Sequence, residues 1–372
     1  MAMLMVFVFH TWEFSNKPHF AIQFGSLSFE TIGNSTFGAH GVPVFMVLSG
    51  FCLFFPLCVE RRRMRDFNWR SYAARRVRRM VPPYYAAIAY TLAPAVLVAI
   101  VRYAKGREHA ASALPSAFDL LVHLTFTHTL FESTFFNIAG AFWSLGLEVQ
   151  FYLTFPLIVW AFSRFGVRAL CAVAVVSFCY QAVTHSLGVG EARVEANFFM
   201  ARWTEFAAGM GTALLVSKRL EQGVKTPTWQ GVALVLLGFS AFRLHMPDFG
   251  PLLSKAALFE LHRSATIGGL LYAVCTSTRP VTFLWSNRVS AGLGFMSYSF
   301  YLIHQPTMWY LSHFLTRFGP RMSDVSHFVI LMTVGFGICL GIAYGFFLLF
   351  EKPFLKSWPL VWTGKKGLAP SE

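Results

Sequence analysis

The chain has 372 residues, of which 55% are hydrophobic, 17% aromatic and only 13% charged. A soluble domain carries about 25% charged residues, so this composition, with its long apolar stretches, indicates an integral membrane protein. The net charge of +14 would suggest nucleic-acid binding in a soluble protein. In a membrane protein, basic cytoplasmic loops explain it, and we expect no nucleic-acid partner.

The apolar stretches predict an all-α fold, a polytopic transmembrane helical bundle of about ten spans. It forms one domain over residues 1–372, without an appended soluble domain. The first span, residues 1–14, is truncated, because a membrane requires about 20 residues. The other spans are predicted at 41–59, 80–101, 142–162, 169–187, 198–216, 229–242, 256–275, 292–314 and 327–350. Pro82 and Pro83 are predicted in the first turn of the third span, where a missing N–H costs little.

A dense basic block separates two of these stretches. Nine arginines and one acidic residue lie between residues 61 and 79. The positive-inside rule assigns the block to the cytoplasm, which predicts a multi-pass protein of a bacterial-type inner membrane with both termini cytoplasmic. On a helix, Arg75, Arg76 and Arg79 share one face, which suits a polyphosphate. Anionic lipid headgroups would satisfy the same block, so both interpretations stay open.

Some ionisable residues inside the predicted spans have partners at helical spacing. Each such residue costs roughly 2.5–3.5 kcal/mol on membrane insertion, so it needs an explanation. Arg202 with Glu205, and Glu260 with Arg263, are spaced i,i+3, so each pair can neutralise itself on one helix face. The six cysteines fall in apolar stretches without metal-type spacing, and we expect no metal site.

His10 and Glu148 have no such partner in their spans, apart from Glu13 near His10. A lone buried histidine is more often structural, but its free pKa near neutrality suits a general base for a hydroxyl. Glu148 can orient an imidazole, bind a sugar hydroxyl or pair with a buried arginine. The residues alone leave these alternatives open.

Seven stretches together resemble the acyltransferase type 3 family of integral-membrane acyltransferases, which includes sugar and peptidoglycan O-acetylases. Each stretch is a weak signal alone, whereas all seven in the family's order and spacing, over nearly the whole chain, are a strong one. They are FVFH ending at residue 10, GVPVFMVLSGF at 41–51, RRVRRMVPPYY at 75–85, FWSLGLEVQFYLTFPL at 142–157, RWTEFAAGMGTAL at 202–214, SNRVSAGLGFMSYSFYLIHQP at 286–306 and FEKPFL at 350–355.

The resemblance implies transfer of an acyl group, by family default acetyl, from acyl-CoA to a hydroxyl of a carbohydrate or glycoside acceptor. It implies that His10 is the essential first-span histidine and that Arg76 and Arg79 meet the CoA phosphates. In our hypothesis His10 removes the hydroxyl proton and Glu148 orients His10 or the acceptor, while an acyl-histidine intermediate is a less favoured variant. No cofactor is bound, and acetyl-CoA is the donor substrate. The candidate substrate-binding residues, mostly from the same motifs, are Arg75, Arg76, Arg79, Trp143, Ser144, Tyr152, Arg202, Tyr298 and His304.

One position departs from the family pattern. The family places Arg or Lys eleven residues before the first-span histidine, and here that position would precede Met1. A natural start upstream of Met1 and a natural loss of the basic residue both explain this, and we favour the upstream start. The alternative from another class is a transporter or flippase for a glycan or lipid-linked sugar, because buried polar residues would suit it equally. Against it, the sequence has no evident internal repeat of the kind that many transporters carry.

Overall fold

The computed structural model describes residues 2–18, 20–24, 27–31, 38, 40–60, 64, 66–105, 114–189, 192–227, 229–233, 255–278, 282, 283, 285 and 287–355. The side chains of 20–24, 27–31, 255 and 256 are not described. Most of the predicted seventh span, residues 229–242, lies outside these ranges, as does the tail after residue 355.

Helices dominate the described residues and form one bundle. In chain order they are α1 (Ala2–Phe14), α2 (Gly41–Val59), α3 (Trp69–Ala104), α4 (Ala117–Leu124), α5 (Trp143–Phe165), α6 (Val167–Ser186), α7 (Arg193–Ala196), α8 (Trp203–Glu221), α9 (Lys255–Thr276), α10 (Arg288–Phe295), α11 (Ser297–Phe318), α12 (Asp324–Ile330) and α13 (Phe336–Phe346). Short 3-10 turns cover His128–Leu130, Gly140–Phe142 and Lys352–Phe354. Single π-helical turns at Leu331–Gly335 and Phe347–Glu351 continue α12 and α13 into one long stretch.

The chain is a multi-pass membrane protein. Within the described residues, five helical stretches are long and apolar enough to cross a membrane: Gly41–Val59, Trp69–Ala104, Gly140–Phe165, Val167–Ser186 and Asp324–Phe354. Helices α8, α9 and α11 have 19, 22 and 22 residues but are more polar. Helix α1 is apolar but has only 13 residues. The count of about ten spans therefore stays a prediction.

Helix α3 begins well before the predicted third span. The side chain of Asn68 accepts a hydrogen bond from the backbone N–H of Ser71 and caps the helix, which starts at Trp69. Asn is a preferred N-cap residue, and arginine is a good helix former, so the helix takes in the basic turns. Pro82 and Pro83 lie inside α3, and the prediction that they occupy its first turn is wrong. The helix therefore includes Arg75, Arg76 and Arg79, and the prediction that they share one helix face holds.

A β-hairpin interrupts the helical fold after α1. Strand β1 (Phe20–Phe24) pairs antiparallel with β2 (Leu27–Thr31), with Phe20 opposite Thr31 and Phe24 opposite Leu27. The prediction of a helical bundle is confirmed, with this hairpin as an addition.

Small residues allow helices α2 and α8 to pack closely. A Cβ placed on Gly50 would lie 2.2 Å from the carbonyl oxygen of Phe206, and one on Gly209 would lie 2.0 Å from that of Val47. Helices α2 and α8 thus touch backbone to backbone, a contact typical of membrane helices. Helix α5 packs on α8 nearby, with the rings of Phe151 and Phe206 stacked 4.9 Å apart.

A cluster of buried apolar side chains joins α1 to α11 and α13 and positions His10. The ring of Phe7 packs edge-on against Phe300 at 5.7 Å and against Phe336 at 5.3 Å. All three helices contribute apolar side chains to one buried cluster. Helix α1 is therefore enclosed by protein along this face, which brings His10 inside the bundle, where it is 9% exposed.

Candidate active site

The basic turns of α3 line an opening at one end of the bundle, here called the arginine mouth. Its volume is about 460 Å³. The lining residues that carry charge are Arg75, Arg76, Arg78, Arg79 and Glu351. Four guanidinium groups around one opening make a site for a multiply charged anion.

A second cavity of about 310 Å³ continues inward from the mouth, because Arg76 and Arg79 line both. We call it the arginine cavity. It brings together six of the predicted site residues, and Tyr301 closes it on the inner side. The charged and hydroxyl-bearing residues of its lining are Ser49, Arg76, Arg79, Ser144, Glu148, Tyr152, Ser297, Tyr298 and Tyr301.

Aromatic rings, rather than carboxylates, hold Arg76 in place. Its guanidinium lies over the rings of Tyr72 and Tyr152, 5.7 and 5.4 Å from their centroids. Its Nε is buried and has no hydrogen-bond partner among the described residues. Cation–π contacts fix the position of the charge without consuming its N–H donors. Arg76 is therefore able to bind an anionic ligand.

Glu148 belongs to the arginine cavity and does not contact His10. Its carboxylate accepts a hydrogen bond from the hydroxyl of Tyr152, one turn away on α5. Tyr298 donates to the backbone carbonyl of Met80 at 3.1 Å, which ties α11 to α3 beside the same cavity. Three roles were left open for Glu148. The geometry favours pairing with a buried arginine, because Glu148 lines the same cavity as Arg76 and Arg79.

A hydrogen-bonded partition closes the inner end of the arginine cavity. The hydroxyls of Tyr301 and Ser144 lie 2.5 Å apart, and Tyr301 also donates to the carbonyl of Ala141 at 2.9 Å. The backbone N–H of Ala141 in turn donates to Oε1 of Gln305 at 2.5 Å. The partition thus joins α11 to the turn before α5.

Beyond the partition lies a third cavity of about 450 Å³, here called the far cavity, which approaches from the opposite end of the bundle. Its lining includes the polar residues Asp119, Asn137 and Gln305 and the aromatic residues Trp309 and Tyr310. Hydrogen bonds from Ser116 and then from Asn137 lower the pKa of Asp119, so it is a carboxylate at neutral pH. Aromatic surface with hydrogen-bonding groups is suited to a polar organic ligand.

His10 and His304 lie together at the level of the partition. Their ring centroids are 5.3 Å apart, and both side chains are buried. Nδ1 of His10 is 3.3 Å from a carboxylate oxygen of Glu13 and 3.5 Å from the side-chain nitrogen of Gln305. Because Gln305 lines the far cavity, His10 is one side chain away from that space.

Arg202 lies in a buried ion network. This network joins the two i,i+3 pairs that the sequence predicted as separate. Arg202 donates to Glu205 at 3.0 Å and to Glu260 at 3.2 Å, and Arg263 donates to Glu205 at 2.9 Å. Arg263 also bonds to Glu260. The pairs merge because α8 packs directly on α9. A substrate-binding role for Arg202 stays a prediction.

Trp143 lines neither the arginine cavity nor the far cavity. Its ring stacks on Phe135 at 5.9 Å. This contact anchors the start of α5, where Ser144 lies, and the turn before it, which carries Ala141 of the partition. Binding of substrate by Trp143 also stays a prediction.

Sequence reasoning missed three residues of this region, although each lies in a stretch that carried the family resemblance. Tyr301 and Gln305 lie on either side of His304 in the chain, and Glu351 lies two residues before Pro353. Glu351 is 1% exposed and accepts hydrogen bonds from the N–H and the hydroxyl of Ser299, at 3.2 and 2.5 Å. The positions of Tyr301, Gln305 and Glu351 within the family motifs were the sequence signal that could have identified them.

Over the described ranges, no three His, Cys, Asp or Glu side chains cluster as a metal site would require.

One protein family matches most of the chain. The family described as Acyltransferase domain, acyltransferase type 3, matches residues 1–344. A peptidoglycan O-acetyltransferase of Listeria monocytogenes is 24% identical over 72% of this chain and 44% of its own length. A Bacillus subtilis protein, whose name gives the same activity provisionally, is 26% identical over 73% of this chain and 44% of its own length.

A third relative is a regulator of hypoxia-inducible factor 1 from Caenorhabditis elegans, 30% identical over 42% of this chain and 29% of its own length. The chain thus spans less than half the length of each of these curated relatives. No solved structure matches it significantly.

Proposed function

Because this chain belongs to the acyltransferase type 3 family, we propose that it moves an acyl group, acetyl in the simplest case, from acyl-CoA to a hydroxyl of a glycan or related carbohydrate. One observation carries the proposal. Two cavities that open at opposite ends of the bundle meet at a thin partition, and a buried histidine pair lies beside it.

The arginine mouth and arginine cavity fit the donor. CoA carries several phosphate charges, and the four arginines of the mouth supply donors for them. The thioester end then extends past Arg76 and Glu148 to Tyr301 at the partition. This orientation places the arginine end in the cytoplasm, in accordance with the positive-inside rule, and the far cavity on the outer face of a bacterial inner membrane.

The far cavity fits the acceptor. Asp119, Asn137 and Gln305 can bind hydroxyl groups, and Trp309 offers an aromatic face to a sugar ring. Two of the relatives are named for acetylation of peptidoglycan, so a peptidoglycan or similar glycan is the acceptor class that we propose.

His10 acts as the general base in this scheme. It takes the proton of the acceptor hydroxyl, whose oxygen attacks the thioester carbonyl carbon. The C–S bond breaks, and the CoA thiolate receives a proton, so that the products are the ester and free CoA. Glu13, within reach of Nδ1 of His10, orients the ring for this step. A general base contributes typically about 10²–10⁴-fold.

The experiment uses membranes that contain the chain, radiolabelled acetyl-CoA and peptidoglycan fragments. We expect release of free CoA together with label in the fragments. His10→Ala should lower both by at least about 10²-fold at unchanged protein level. His185→Ala, which changes an exposed histidine at the end of α6, is the matched control. Equal transfer by His10→Ala would remove His10 from the mechanism.

The same experiment tests the transporter alternative, which the two opposed cavities also fit. A transporter would leave acetyl-CoA intact under all conditions. Consumption of thioester that depends on both His10 and the acceptor would exclude transport as the sole activity.

A further inference from the structure

We infer that His304 is a second acid–base group of the reaction, which rests on the acyl transfer proposed above. In this inference Nε2 of His304 receives the proton that His10 removes from the acceptor hydroxyl and passes it toward the thiolate that leaves on the arginine side. The motif resemblance had placed His304 among the substrate-binding residues.

The hydrogen bond of His304 determines which of its nitrogens carries the proton. Nδ1 lies 2.7 Å from the backbone carbonyl oxygen of Tyr301. A carbonyl oxygen only accepts, so the neutral ring has its hydrogen on Nδ1 and a lone pair on Nε2. The tautomer follows from the partner and leaves Nε2 as a proton acceptor.

That lone pair is buried without a partner. His304 is 1% exposed, and Nε2 has no hydrogen-bond partner among the described residues. A buried polar atom left without a hydrogen bond destabilises the fold, so it requires a reason. A transient proton supplied during turnover is such a reason.

The surroundings of His304 leave His10 as the group that can supply the proton. The ring of Phe300 stacks on His304 at 5.9 Å and covers one face. The thiol of Cys339 is directed at the backbone carbonyl of His304, not at its ring. The ring of Tyr301 lies 5.5 Å away on the same helix, but its hydroxyl donates to the carbonyl of Ala141. The ring of His10, 5.3 Å away, is the titratable side chain that faces His304 from α1.

The position of His304 on α11 matches a relay across the partition. Tyr301, one turn earlier, lines the arginine cavity, and Gln305, the next residue, lines the far cavity. The acceptor loses its proton on the far side, whereas the CoA thiolate forms on the arginine side. Two neighbouring imidazoles can carry one proton between these sides without net uptake or release, since the transfer from hydroxyl to thiolate balances.

The structural alternative is that His304 only holds the Tyr301 carbonyl through Nδ1–H. His304→Asn separates the two roles, because the asparagine nitrogen replaces Nδ1 as donor and nothing replaces Nε2. We expect His304→Asn to lower kcat by at least about 10²-fold and to change the pH profile of kcat. Thermal stability and KM for acetyl-CoA should remain those of the wild type. Cys339→Ala, at the same packing contact, is the control and should keep kcat and its pH profile.

Wild-type kcat and pH profile in His304→Asn would overturn the relay and leave the proposed function intact. Absence of transfer by the wild type would overturn both. A second measurement needs no variant: the dependence of the wild-type rate on the fraction of D₂O. If two protons move in the rate-limiting step, the rate depends on the D₂O fraction along a curve. A linear dependence, or none, would contradict the relay.

Discussion

The buried ion network predicts a strong and charge-dependent effect of Glu205→Gln on stability. The Glu205 side chain is 0% exposed and accepts from Arg202 at 3.0 Å and from Arg263 at 2.9 Å. Replacing it leaves two guanidinium groups with one carboxylate, Glu260. Unit charges about 4 Å apart interact by about 4 kcal/mol at an effective dielectric constant near 20. Breaking a buried pair costs about 3–5 kcal/mol, and we expect Glu205→Gln to destabilise the protein by that amount.

The double variant Glu205→Gln/Arg202→Gln restores charge balance, because a neutral Glu260–Arg263 pair remains. Its loss of stability should be smaller than the sum of the two single losses by at least about 1 kcal/mol. Thermal unfolding in detergent can be followed by circular dichroism, since helices dominate the described residues. An unchanged midpoint for Glu205→Gln, or additive losses in the double variant, would refute this reasoning. Transfer activity of the stable double variant also tests Arg202 as a substrate-binding residue.

Three further predictions concern the donor, the partition and the far end. Arg79→Ala should raise KM for acetyl-CoA about 10–150-fold, the value of one charge-assisted hydrogen bond, in steady-state kinetics; an equal rise in KM for the acceptor would contradict donor binding. Tyr301→Phe should increase CoA release without acceptor severalfold, because it weakens the barrier to water; no increase would exclude Tyr301 as a barrier. Burial, and then His123, lower the pKa of His128 to about 3. Because the unfolded chain binds the proton more tightly, the contribution of His128 to the free energy of unfolding is complete above the unfolded pKa of about 6.5. Below that pH the free energy of unfolding falls by up to about 1.4 kcal/mol per pH unit. Thermal unfolding at pH 7.5 and 5.5 measures this, and His128→Gln, which keeps a donor for the Phe142 carbonyl, should flatten the dependence.

Local composition was sufficient to predict most helices of the bundle. Residues 41–59 were predicted as a span and form Gly41–Val59, and residues 169–187 correspond to Val167–Ser186. An apolar stretch of about 20 residues forms a membrane helix largely because of its own residues. The start of α3 was missed because hydropathy marks the membrane, whereas the Asn68 cap and the helix propensity of the arginines set where the helix begins.

The motifs also predicted the family, which the family match confirms. The same motifs supplied most of the candidate site residues. The sequence alone did not decide how they are divided between two cavities. The sequence left open whether Glu148 orients an imidazole, binds a sugar hydroxyl or pairs with an arginine, and α5 places it in the arginine cavity with Arg76 and Arg79. Its position depends on the rotation of α5 against α3 and α11, which packing of the whole bundle sets.

The contacts that give the site its chemistry join residues far apart in the chain. His10 and Gln305 are 295 positions apart, and Arg202 and Glu260 are 58 apart. The sequence by itself determined the membrane helices, the basic block and the presence of buried ionisable residues, because these depend on residues within one or a few helical turns. Only the tertiary structure decided that His10 faces His304, that two ion pairs merge into one network and that Tyr301 separates two cavities. These features require particular faces of distant helices to meet, and a membrane helix forms in the same way whichever face its neighbours cover.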